Sequence, residues 1–64
     1  MKEKTVGKRL RTLRGSRSQQ EVADAIGISQ SAYANYEADL RIPRDKIKIR
    51  IAEYYKRSVA TLFF

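Results

Sequence analysis

The sequence predicts an all-α domain, a compact bundle of about five short helices. Apolar residues recur at helical spacing over almost the whole chain, as Val6, Leu10 and Leu13 do. Glycine, serine and proline break that pattern at short intervals, at Gly15, Ser18, Gly27, Ser29, Pro43 and Ser58. The chain has 64 residues, one domain's worth, with no repeat and no linker to divide it. It has no cysteine and no histidine, so disulfides and the usual zinc sites are excluded. A chain this short buries only about 60% of the surface it exposes when unfolded. Its stability must therefore come from helix packing or from a partner subunit.

The elements follow in order. Val6, Leu10 and Leu13 lie on one face of a first helix, which ends before Gly15 and Ser16. Ser18 and Glu21 form an S-x-x-E capping box that opens a second helix. Val22, Ala23 and Ile26 supply its inward face, and Gly27 ends it. Ser29 is another good N-cap, and a third helix from Ser29 to about Ala38 turns Ala32, Tyr33 and Tyr36 inward. Gln30, Ser31, Ala34 and Asn35 are left on its outer side.

Asp39-Leu40-Arg41-Ile42-Pro43 reads as a loop, with Pro43 suited to the first turn of the next helix. The fourth segment is ambiguous. Ile47, Ile49 and Ile51 alternate with Lys48 and Arg50 as in a strand, yet Ile47, Ile51, Tyr54 and Tyr55 share one helical face. Length and the run Ala52, Glu53 and Lys56 favour a helix. Ser58 caps a last turn, Val59 to Leu62, so helix four and the terminal turn occupy 44–63. Ile49, Phe63 and Phe64 are hard to house in so small a core, which suggests a subunit interface.

The net charge of +7 is distributed in blocks. Residues 1–17 carry Lys2, Lys4, Lys8, Arg9, Arg11, Arg14 and Arg17 against Glu3 alone. Residues 18–40 carry only the acids Glu21, Asp24, Glu37 and Asp39. The remainder carries Arg41, Arg44, Lys46, Lys48, Arg50, Lys56 and Arg57 against Asp45 and Glu53. This is the electrostatic footprint of a nucleic-acid binder, although a solvated basic surface would give the same count. No apolar run could span a bilayer and no signal-peptide core is present, so a cytoplasmic location is expected. The serines lack a histidine to activate them, and there is no metal cluster or phosphate-cradling glycine loop. Neither an enzyme nor a cofactor is expected. The basic amphipathic stretch 44–57 would suit a membrane surface or a protein partner, but that reading leaves 18–37 unexplained.

A short helix, a tight glycine turn and a second short helix, about 18–38, form the helix-turn-helix unit. The second helix of such a unit fits the major groove of DNA, where glutamine and asparagine can pair with adenine and serine can donate or accept. In order and register, the chain resembles the lambda-repressor-like, Cro/Xre-type helix-turn-helix family over roughly residues 6–63. The resemblance is carried by Gly7-Lys8-Arg9-Leu10-Arg11-Thr12-Leu13-Arg14, Ser18-Gln19-Gln20-Glu21-Val22-Ala23, Gly27-Ile28-Ser29-Gln30-Ser31 and Tyr36-Glu37. Pro43, Ile51-Ala52 and Ser58-Val59 with Leu62 complete it.

The resemblance implies five helices and a homodimer on double-stranded DNA with a partly palindromic operator. It implies a transcription regulator of repressor or Cro type, with an antitoxin or restriction–modification controller as alternatives. Gln30, Ser31 and Asn35 would face base edges, with Ser29 and Ala34 close by. Gln19 would contact phosphate and brace the next helix, and Arg41, Arg44 and Arg17 are further phosphate candidates. Arg14 and Glu37 fall where the family often places a structural ion pair. Three departures stand out: a short loop between Arg14 and Ser18, Asp39 where glycine is common, and Lys48 where an apolar residue is usual.

Overall fold

Three of the helices begin at a serine and one at a threonine, each doing the same work. In the computed structural model, which describes residues 5–64, Thr5, Ser18, Ser29 and Ser58 accept the N–H of Lys8, Glu21, Ala32 and Thr61. Each hydroxyl satisfies one donor that a helix start leaves without an intrahelical partner. The helices are α1 (Val6–Arg14), α2 (Gln19–Ile26), α3 (Gln30–Glu37), α4 (Asp45–Tyr55) and α5 (Val59–Phe63). Lys2, Glu3 and Lys4 of the N-terminal charge block lie outside the described residues.

Helix ends repeat a second device. After α2, α3 and α4 the chain enters the left-handed region at Gly27, Asp39 and Lys56. The next residue's N–H then reaches back to a carbonyl in the last turn: Ile28 to Ala23, Leu40 to Asn35 and Arg57 to Ala52. Gly27 takes φ 92 without a Cβ penalty. This is the turn of the helix-turn-helix unit, and it swings α3 across α2.

The core is one cluster to which every helix contributes. Leu10, Val22, Ala23, Tyr33, Ile51 and Leu62 are its most enclosed members. Val6, Leu13, Ile47, Tyr36 and Tyr54 pack around it. The fourth segment is helical, not extended, because Ile47, Ile51 and Tyr55 fall on the buried side of one helix. That burial commits most of the apolar face of stretch 44–57 to the protein's own core, with Ile49 left outside it. Among the described residues no helix is long and apolar enough to cross a membrane.

Four sequence readings change in detail. Phe63 is buried with Leu62 in the core and ends α5, so the interface suggestion retains only Ile49 and Phe64. Pro43 is buried but precedes the N-cap Arg44, outside the first turn of α4. Glu21 is exposed and, among the described residues, its side chain makes no returning bond to Ser18, so only half of the capping box forms. Lys48 keeps its place facing α5, its ammonium 5.7 and 5.3 Å from the ring centres of Phe63 and Phe64. Its aliphatic stem fills an apolar position while the charge rests against the rings.

Candidate nucleic-acid interface

The α3 helix is held from beneath by buried polar groups. Glu37, on its last turn, is 3% exposed. The Arg14 guanidinium meets its carboxylate in a fork, Nε to Oε2 at 2.7 Å and NH2 to Oε1 at 3.1 Å. Gln19, the first residue of α2, donates its amide to Oε1 at 3.0 Å. Burial alone would raise the Glu37 carboxyl, but hydrogen bonds from Arg14, Gln19 and Tyr33, with the charge of Arg14, reverse it and hold it below the usual range. One carboxylate therefore joins α1, α2 and α3.

A second buried link joins α3 to α4. The hydroxyls of Tyr33 and Tyr55 lie 2.6 Å apart. Burial, then the shared hydrogen bond, pushes the Tyr33 hydroxyl well above its ordinary range; burial raises Tyr55 as well. Both stay neutral, and the contact gives each buried hydroxyl a partner in the core.

With its inner side fixed, α3 turns its other side outward. Ser29, Gln30 and Ser31 are exposed at its start; Ala34 and Asn35 are half-buried one turn further on. Ser31 and Asn35 share a face at i, i+4, flanked by Gln30 and Ala34. Ser29 spends its hydroxyl as an acceptor for the Ala32 N–H at 3.1 Å, which makes it a cap first. No lysine or arginine lies on α3.

Cations gather beside this helix. Arg41, Arg44 and Lys46, with Tyr36 and Ile42, line a shallow pocket between the end of α3 and the start of α4. Among the described residues none of these three cations has an acidic partner. Arg44 is also the N-cap of α4, where it offers the helix no side-chain acceptor.

Arg17 belongs elsewhere. Its Nε donates to the Arg14 carbonyl, NH2 to the Leu13 carbonyl at 2.7 Å and NH1 to the Tyr54 hydroxyl at 3.1 Å. The guanidinium also lies 5.2 and 5.4 Å from the ring centres of Tyr54 and Tyr55. A side chain so engaged closes the end of α1 and the short loop onto α4. Arg9 is similarly occupied, donating to the Leu62 carbonyl at 3.0 Å near the end of α5. The links from Arg17 to Tyr54 and from Arg9 to Leu62 were missed because these partners lie far along the chain. The faint signal for Arg17 was an arginine beside a helix end in a chain with tyrosines to spare.

This arrangement of α2, turn and α3 is that of a helix-turn-helix DNA-binding domain. The helix-turn-helix family model matches residues 8–62, and the chain belongs to that family in its lambda-repressor-like, Cro/Xre-type form. It is a DNA-binding helix-turn-helix regulator of a family that is not typically enzymatic. No curated protein and no solved structure matches the chain. Among the described residues no group of His, Cys, Asp and Glu could hold a metal ion.

Proposed function

We propose that the protein is a sequence-specific transcription regulator of repressor or Cro type, acting as a homodimer with α3 in the major groove. The observation that carries this reading is the outer face of α3, with exposed Gln30 and Ser31, half-buried Asn35 and no cation. Uncharged amides and hydroxyls discriminate base edges, while lysine and arginine on the same face would favour any phosphate. Gln30, Ser31 and Asn35 read bases, and Ala34 offers a methyl contact for thymine. Ser29 lies at the groove's edge as the helix cap.

Gln19 has a second amide hydrogen beyond the one Glu37 receives, and it donates that hydrogen to a backbone phosphate. Arg41 and Arg44, unpaired beside the reading helix, supply salt-sensitive grip. Exposed Ile49 and Phe64, at 50% and 81%, support self-association through the face of α4 and α5. A DNA target places the protein in the compartment that holds the DNA.

Selection of duplexes from a randomised pool tests the reading. A two-fold symmetric consensus with half-sites about 34 Å apart supports it. Recovery of unenriched sequence, with affinity set by salt alone, would refute it.

A further inference from the structure

The loop after α3 carries a feature that recognition by α3 leaves unexplained. Leu40 and Ile42 are 74% and 81% exposed, on either side of Arg41. They are not loose. The Leu40 and Arg41 N–H groups both donate to the Asn35 carbonyl, at 2.9 and 3.4 Å. Asp39 just before them accepts the Gly7 N–H, and Pro43 just after them is buried. Anchored on both sides, the loop holds two branched side chains out in water, an arrangement that calls for a partner.

Charge selects the partner. Arg41, Arg44 and Lys46 surround Ile42 without acidic partners among the described residues; Asp45, the acid on this rim, faces Lys48 at 4.0 Å. A second copy meeting this surface across a two-fold axis would oppose each cation with its own image. A polyanion has the opposite effect. Dimension then selects the place. The eight residues of α3 span about 12 Å, which is also roughly the width of the major groove. With the start of α3 at base edges and its axis running across the groove, the residues just past its end would stand at the groove wall, over the ridge that borders the minor groove.

We propose that Leu40 and Ile42 form a second DNA-reading element, pressing apolar side chains into the adjacent minor groove at a flexible base step. The inference rests on the reading of α3 as the major-groove helix. Apolar wedges beside cations unstack base steps from the minor groove, and pyrimidine–purine steps yield most easily. Specificity would then extend to a step that α3 does not touch.

The test uses a duplex recovered by selection from a randomised pool, with the flanking step written either as TA or as AT, and 2-aminopurine placed beside it. Wild-type protein should bind the TA form about tenfold more tightly and raise the 2-aminopurine fluorescence. The Leu40→Ala/Ile42→Ala variant should lose both effects while keeping its circular dichroism, its sedimentation behaviour and its discrimination within the selected core. Indifference of wild type to the step, with Gln30-dependent core selection intact, would overturn this proposal alone. So would a variant that becomes monomeric and keeps the step preference, since the loop would then be a self-contact. Failure of wild type to enrich any sequence would overturn the reading of α3 and this proposal with it.

Discussion

The N–H of Gly7 donates to Oδ1 of Asp39 at 2.9 Å, tying the first turn of α1 to the residue that closes α3. The two residues depend on each other. A Cβ on Gly7 would sit 2.1 Å from the Glu37 carbonyl oxygen, so only glycine allows the backbones to approach this closely. The first turn of α1 contains no acid of its own, and the Asp39 carboxylate supplies negative charge there from across the chain. The end of the reading helix is thereby fixed to the scaffold.

Gly7→Ala should destabilise the domain by about 3 kcal/mol, because backbone cannot yield as a side-chain tip can. Asp39→Gly sets two effects against each other. It relieves a left-handed non-glycine, worth at most about 1 kcal/mol, and loses a charge-assisted hydrogen bond worth roughly 1.5–3 kcal/mol. The bond wins, and urea denaturation should show a net loss of about 1 kcal/mol. A more stable Asp39→Gly variant would show the bond to be idle.

Acid should weaken the domain through Glu37. Its folded pKa is depressed, so the stability it contributes is present above the unfolded value near 4.3 and is lost as pH falls through the folded value. Glu37→Gln leaves Arg14 facing a neutral amide in a largely buried place. It should cost about 3 kcal/mol at pH 7 and flatten the acid limb of the stability profile. An acid limb as steep as wild type's would assign it to other carboxylates.

Alkali should act through the tyrosine pair. Tyr33 and Tyr55 have raised folded pKa values, so their contribution is complete below the unfolded value near 10 and lost as pH rises beyond it. Ultraviolet titration should show both ionising only as the far-ultraviolet helix signal collapses. Tyrosinate formed by either one in the intact fold would contradict the buried pairing.

Lys56 ends α4 at φ 59 and ψ 44, a conformation in which its Cβ is unfavourable. Lys56→Gly should raise stability by about 0.5–1 kcal/mol, read as a shift in denaturation midpoint at unchanged slope. A lower midpoint would mean that the lysine charge at the helix end outweighs the backbone strain.

The helices were legible because their boundaries are written locally, in Ser18, Ser29 and Ser58 and in Gly15 and Gly27. The ion pair of Arg14 with Glu37 was legible through family resemblance, and so was the position of Asp39 where glycine is common. Its bond to Gly7 was not, since 32 residues separate the partners and no local pattern signals the contact. The links from Arg17 to Tyr54 and from Arg9 to Leu62 escaped for the same reason, spanning 37 and 53 residues. Phe63 was misjudged because whether a terminal aromatic reaches the core depends on how α5 folds back against α1 and α4. The polar outer face of α3 was visible from spacing alone; the rigidity beneath it required the fold.

The division of labour between Gln30 and Arg44 is tested most directly by measuring affinity against salt for a selected duplex and a scrambled one. Gln30→Ala should lose about 1–3 kcal/mol on the selected duplex alone, with the salt slope unchanged. Arg44→Ala should weaken both duplexes alike and shrink the slope by about 0.9. Equal losses on both duplexes from both substitutions would contradict a base-reading α3 held down by its cationic neighbours.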